Sequence, residues 1–105
     1  MVECICIDSK GRPKEIPTSK WPKENKVYHI THIYMHHMQG VQGVDLKEIK
    51  PGKESFPYET YKLSRFGITL DNLAMLTELA IVCSGLDAVG VSKLLEESEL
   101  EILNE

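Results

Sequence analysis

The alternation of apolar and polar residues at the start of the chain predicts a β-strand. Within residues 2–8, the β-branched Ile5 and Ile7 alternate with Cys4 and Cys6, which is the period of two that a pleated strand requires. Turn-forming residues 9–11 then end the strand. Three prolines within residues 12–23 exclude a regular helix or a central strand. We therefore expect an ordered loop there, anchored on the core by Trp21.

The next two apolar runs predict a hairpin. Residues 27–37 are dense in Val, Ile, Thr and Tyr, which favour strands. Residues 42–49 predict a second strand with Val44 and Leu46 on one face. The glycine-rich residues 40–43 supply a flexible connection, so the two strands should pair antiparallel.

Two further strands are predicted at residues 56–63, with Tyr61 and Leu63 on one face, and at residues 66–68. The first two-thirds of the chain therefore holds about five strands. The residues expected in its core are Tyr28, Ile30, Leu46, Leu63 and Phe66.

From residue 70 the apolar period changes to three or four residues, which predicts a helix over residues 70–83. Thr69 or Asp71 can cap its start, and the Ser-Gly pair at 84–85 ends it. A second helix should begin near Leu86 or Ser92. Leu100 lies on the opposite side of this helix from Leu94 at 100° per residue. We therefore expect residues 99–103 to form a short strand or an unravelled end.

Ile81 and Val82 predict a second apolar side on the first helix. They lie about 200° and 300° from Leu79 at 100° per residue, too far around the helix to share one buried face with the leucines. We therefore expect residues 70–103 to contact a protein partner or a second copy of the chain.

Charge divides the 105-residue chain into two parts. Residues 1–66 hold eleven Lys and Arg against eight Asp and Glu, whereas residues 67–105 hold one Lys against eight Asp and Glu. Mutual docking of the two parts, separate partners, or a solvated acidic helix face would each explain this split. The chain begins without a signal-peptide pattern, has no apolar run long enough for a membrane span, and holds three cysteines without framework spacing. We therefore expect a cytoplasmic protein with no membrane association.

Several short runs resemble a group of small uncharacterised proteins carried by bacteria, phages and mobile elements. The runs are 6–8, 26–30, 44–49, Tyr58, Tyr61 and 65–66. This resemblance covers about residues 1–68 and implies an SH3-like β-barrel, without implying an activity. Where the group tends to have glycine before the long strand, this chain has Asn25, which tolerates left-handed turn geometry.

The Cys and His residues raise the possibility of zinc binding. The candidate ligands are Cys4, Cys6, His29, His32, His36 and His37. In a strand His32 and His36 lie about 13 Å apart, and His36 and His37 point to opposite faces. We therefore expect no metal and no cofactor, with a metal protein or small enzyme kept as an alternative.

Catalytic motifs are absent from the sequence. It holds no P-loop, dinucleotide fingerprint, nucleophile elbow or zinc-protease motif. Cys83 at a predicted helix end could be a nucleophile, but no base lies near it in sequence, and a buried helix cysteine is the commoner case. These observations favour a non-enzymatic protein with no catalytic residues.

Lys20, Trp21, Lys23 and Lys26 combine aromatic and basic character within seven residues, as small barrels that bind nucleic acid or peptides do. Because the whole chain is acidic, nucleic-acid binding should be weak at most. The prediction is therefore an SH3-like β-barrel over residues 1–68 with an acidic helical extension over residues 69–105. It acts as a non-enzymatic interaction module, with a nucleic-acid-associated barrel as the alternative.

Overall fold

The computed structural model describes residues 1–35 and 42–103, which form one six-stranded sheet and two helices. The strands are β1 (Val2–Cys6), β2 (Val27–Met35), β3 (Gln42–Leu46), β4 (Tyr61–Lys62), β5 (Phe66–Thr69) and β6 (Glu101–Leu103), and the helices are α1 (Leu70–Ser84) and α2 (Ala88–Glu97). Short 3-10 turns lie at Thr18–Lys20, Lys53–Ser55 and Leu63–Arg65.

The strands lie in the order β4-β3-β2-β1-β5-β6 and curve into a half-barrel. The first five pair antiparallel with their neighbours, whereas β6 runs parallel to β5. In the predicted hairpin, Ile33 pairs with Val44 and Met35 with Gln42, which confirms the antiparallel pairing of β2 and β3. The predicted connection residues Gly40 and Val41, and the candidate ligands His36 and His37, lie outside the described residues.

The core lies between the inner face of the sheet and α1. All five residues predicted to be core are buried, and Phe66 stacks edge-to-face on Tyr28 with ring centroids 6.2 Å apart. On β1 the buried face consists of Val2, Cys4 and Cys6. Leu76 and Ala80 of α1 are fully buried, which places α1 across the sheet as its cover.

The helices begin and end close to the predicted positions. Thr69 is the N-cap residue of α1 but makes no side-chain capping bond, whereas Gly85 ends the helix with φ 74°, a left-handed geometry that favours glycine. Asp87 caps α2 by accepting a hydrogen bond from the Gly90 N–H at 2.8 Å. Asn25, before β2, has φ 69°, the left-handed geometry anticipated for that turn.

The strand predicted at residues 56–63 is confirmed only at Tyr61 and Lys62, which pair in the sheet, and is wrong for residues 56–60. Phe56 is exposed and Pro57 follows it, and proline lacks the N–H that a ladder needs. The predicted strand at 42–49 ends earlier, at Leu46. Gly43 lies inside β3, within the predicted strand, and a Cβ there would lie 3.2 Å from the Cβ of Thr60.

The C-terminal segment returns to the sheet. Of the two alternatives for residues 99–103, the structure has a strand, since Ile102 pairs with Ile68 of β5. The residues after position 68 thus supply both the cover of the core and the sixth strand.

Within the described part of the chain, no single helix is long and apolar enough to span a membrane. Only α1 and α2 taken together reach that length and composition, and they are bent by 109° at the break between them.

Candidate partner-binding cleft

A cleft of about 260 Å³ opens between the proline-containing loop before β2 and the chain around β4. We call it the aromatic cleft. Its lining residues are Gly11, Pro13, Ile16, Trp21, Tyr58, Thr60, Tyr61, Lys62 and Arg65. It combines three aromatic rings with two cations, and aromatic residues and arginine are enriched at protein interfaces.

Three contacts fix the side chain of Trp21, which lines this cleft. Its indole Nε1–H donates a hydrogen bond to the Ser9 carbonyl at 2.7 Å. Its ring meets Tyr61 edge-to-face with centroids 6.3 Å apart, and the Arg65 guanidinium lies 4.7 Å from its ring centroid. Trp21 thus anchors the loop, as predicted, and also presents a rigid aromatic wall to the cleft.

Tyr61 is held equally firmly. The side chain is buried, and its hydroxyl donates a hydrogen bond to the Lys20 carbonyl at 2.6 Å. Burial raises the pKa of Tyr61, so the hydroxyl stays protonated as a donor. The floor of the cleft is therefore preorganised, because both of its large rings are tied to the backbone of the same loop.

Arg65 closes the loop that carries residues 8–11. Its Nη1 donates to the Lys10 carbonyl at 2.6 Å and to the Asp8 carbonyl at 3.3 Å, and it lies 3.6 Å from the Asp8 carboxylate. Nη1 of Arg65 is thus already bonded to backbone carbonyls of the protein itself. Its main effect on a ligand is the positive charge that it places beside the Trp21 ring.

Phe56 and Tyr58, two residues apart in sequence, expose aromatic surface to solvent, and Tyr58 lines the cleft. Phe56 is 76% exposed and Tyr58 is 41% exposed. Tyr58 also lines a second hollow, of about 330 Å³, together with Phe56, Pro51 and Lys53. The two hollows therefore share Tyr58 as a lining residue.

The predicted cations lie around this surface with different contacts. Lys20 forms an ion pair with Glu54, and the hydrogen bond from Lys20 lowers the pKa of that carboxyl group. Lys26 Nζ lies 5.6 Å from the centroid of the Tyr28 ring. Lys23 is exposed, and its backbone N–H donates to the Tyr28 hydroxyl at 2.8 Å.

All six residues predicted for partner binding are described, and Trp21 alone among them lines the aromatic cleft. Ile81 packs partly buried against the core, whereas Val82 is 81% exposed. Sequence reasoning missed Phe56 and Tyr58 as exposed residues because it assigned them to a strand. The Phe-Pro-Tyr run at 56–58 was the available signal, since proline excludes regular pairing there.

The candidate metal ligands that the structure describes lie apart. Cys4 and Cys6 are buried in the core, and burial raises the pKa of Cys4 to about 12. His29 Nδ1 lies 2.6 Å from Glu48. Across residues 1–35 and 42–103, no three His, Cys, Asp or Glu side chains are grouped so that they could hold a metal ion.

Comparison with known proteins returned no match to any protein-family model, curated protein or solved structure. The class of this protein therefore rests on its fold and surface: a mainly β half-barrel covered by two C-terminal helices, with a preorganised aromatic cleft.

Proposed function

We propose that this protein is a non-enzymatic interaction module that binds a peptide segment of a partner protein in the aromatic cleft. The observation that carries the proposal is the exposure of Tyr58, which lines the cleft together with the fixed rings of Trp21 and Tyr61. The exposed ring of Phe56 lines the second hollow, which also contains Tyr58. Aromatic side chains are enriched at protein interfaces, where rigid rings bury large areas at small entropic cost.

The proposed architecture is an SH3-like barrel. The resemblance over residues 1–68 implies it, and the antiparallel strand order β4-β3-β2-β1-β5 supports it. A 3-10 turn at Leu63–Arg65 joins β4 directly to β5, as expected for a small barrel whose last strand returns to pair with its first. The turn also delivers Arg65 to the cleft.

The charge and shape of the two hollows favour particular side chains in the bound peptide. Both hollows contain aromatic side chains. Lys62 and Arg65 line the aromatic cleft, whereas Lys53 and Glu59 line the second hollow. A segment with one or two large apolar side chains and a neighbouring carboxylate would match both features. Phe56 and Tyr58 would then close over the apolar side chains and exclude water.

A random peptide library selected on the intact protein tests this proposal. Selected peptides should bind wild-type protein, and Tyr58→Ala or Phe56→Ala should weaken that binding about tenfold or more, the effect of a residue that contributes over 1.4 kcal/mol. Val89→Ala is the matched control, because Val89 is about as exposed as Phe56 but lies outside the cleft. Peptides that bind the Tyr58→Ala and Phe56→Ala proteins as tightly as the wild type would disprove the assignment.

Nucleic-acid binding is the alternative function. The exposed rings of Phe56 and Tyr58 are favourable for it, since single-stranded bases stack on such rings. The ion pair between Lys20 and Glu54 removes part of the basic surface formed with Lys23 and Lys26. We therefore expect weak, sequence-independent binding of oligothymidine that is lost at about 200 mM salt. Tight binding at that salt concentration would favour this alternative over the peptide.

A further inference from the structure

A thiol and an imidazole that are 51 residues apart in sequence meet where α1 packs against β2. Cys83 is the penultimate residue of α1, and its Sγ lies 3.4 Å from Nδ1 of His32 on β2. Both side chains are partly buried, so each keeps some contact with solvent. The base that the sequence did not place near Cys83 is supplied by the tertiary structure.

The imidazole of His32 is oriented by its neighbours. Its ring centroid lies 4.3 Å from that of Tyr34, with the planes inclined at 51°. The Tyr34 hydroxyl in turn donates a hydrogen bond to Asp45 Oδ2 at 2.8 Å, and Asp45 faces His32 across β2 and β3. With its ring proton on Nε2, His32 offers Nδ1 as the acceptor for the Cys83 thiol.

Cys4 and Cys6 differ from Cys83 in their burial and in their hydrogen-bond partners. All three cysteines lie in the described part of the chain. Cys4 and Cys6 are buried in the core, and their thiols lie within hydrogen-bond distance of the backbone carbonyls of Tyr28 and Asp8. Burial raises the pKa of both thiols, which disfavours the nucleophilic thiolate.

We propose that Cys83 and His32 form a modification site at which a hydroperoxide oxidises the thiol to a sulfenic acid. His32 Nδ1 takes the thiol proton, and the Cys83 sulfur attacks one peroxide oxygen. An S–O bond forms as the O–O bond breaks, and the proton held by His32 passes to the departing oxygen to give water or an alcohol. The sulfur is oxidised by two electrons, and the peroxide is reduced by two.

This site goes beyond the proposed function, because neither Cys83 nor His32 lines the aromatic cleft. Loss of peptide binding and loss of thiol reactivity are therefore separate results. With Cys4 and Cys6 buried, neither offers an exposed thiol for a disulfide with Cys83. The sulfenic acid is thus the form to detect.

Treatment of the intact protein with dilute hydrogen peroxide and dimedone, followed by peptide mass spectrometry, tests the proposal. Dimedone should label Cys83 and leave Cys4 and Cys6 unlabelled. Because a positioned base contributes at least about a hundredfold in favourable sites, His32→Gln should slow the labelling of Cys83 by about tenfold or more. The matched control is His29→Gln, which removes a strand histidine that pairs with Glu48 instead and should leave the rate unchanged.

Iodoacetamide gives a second measurement that separates reactivity from unfolding. It should alkylate Cys83 first in the wild type and more slowly in the His32→Gln protein. If His32→Gln unfolded the protein, alkylation of Cys4 and Cys6 would rise. Tyr34→Phe, which removes only the hydrogen bond to Asp45, would then be used in its place to test how His32 is positioned. Unchanged Cys83 rates in a folded His32→Gln protein, or equal labelling of all three cysteines in the wild type, would overturn the proposal.

Discussion

Individual side chains in this protein divide sharply between those that hold the core and those that face solvent. Phe66 and Phe56, the two phenylalanines of the chain, illustrate the difference. Phe66 is fully buried, and its ring meets Tyr28, whereas Phe56 is among the most exposed large side chains. The same chemical group thus stabilises the fold at one position and is available to a ligand at the other.

We predict that Phe66→Ala lowers the free energy of unfolding by about 3–5 kcal/mol, because the ring leaves a cavity in a close-packed core. Phe56→Ala is the matched control and should change it by less than about 0.5 kcal/mol. Urea unfolding followed by circular dichroism measures both. A loss below about 1 kcal/mol for Phe66→Ala would mean that the ring is not packed as described.

At the scale of elements, the β2–β3 hairpin is joined by a side chain as well as by its backbone ladder. Glu48, two residues after β3, accepts a hydrogen bond from the His29 backbone N–H at 2.9 Å and lies 2.6 Å from the His29 ring nitrogen. Burial alone would raise the pKa of Glu48, but these hydrogen bonds outweigh it and lower the pKa below 4.5. The carboxylate therefore stabilises the folded state.

A lowered pKa in the folded state contributes stability above pH 4.5, and that contribution is lost as the pH falls through the folded-state pKa. We predict that Glu48→Gln destabilises the protein at pH 7 by about 0.5–1 kcal/mol, as expected for a partly exposed carboxylate that accepts hydrogen bonds. The difference from wild type should shrink as the pH falls below 4.5. Urea titrations at several pH values measure it, and Glu97→Gln on the exposed side of α2 is the control. A difference that is constant with pH would contradict the role of Glu48.

The element that local pattern specifies least is β6. Its three residues are too few to show a period, and their strand form depends on pairing with β5. The Leu103 side chain lies over Gly67, where a Cβ would come within 2.7 Å of it. A glycine in one strand and a leucine in another, 36 positions later, thus form a contact that only the folded chain creates.

For the whole molecule, the helices expose several apolar side chains outside the aromatic cleft. Ile81, predicted to face a partner, packs partly against the core, while Val82 and Val89 project into solvent. The folded chain itself thus covers part of the apolar surface of α1 for which the sequence predicted a partner. Self-association through residues 70–103 remains a proposal, now centred on Val82 and Met75 of α1.

We predict that the protein forms a dimer at high concentration and that Val82→Glu returns it to the monomer mass. A charge placed in a twofold contact meets its own copy, so a single substitution acts twice. Size-exclusion chromatography with light scattering measures the mass, and Val27→Lys on the exposed side of β2 is the control. A wild-type monomer mass that persists at high concentration would leave α1 and α2 as a cap on their own sheet.

Much of the fold could be predicted from the sequence because its signals are local. Alternation over residues 2–8 and β-branched density over residues 27–37 identified β1 and β2. The leucine period and Gly85 placed both ends of α1 within a residue. The five core residues followed from the same patterns, since a strand or helix with one apolar face must bury that face.

Contacts between distant residues could not be predicted, because no local period encodes them. The sequence by itself determined most strands, the helices and the core side chains. Only the tertiary structure decided that Trp21 and Tyr61 line one cleft and that His32 meets Cys83. Those outcomes depend on how the curved sheet and α1 pack, which brings together residues 40 to 51 positions apart.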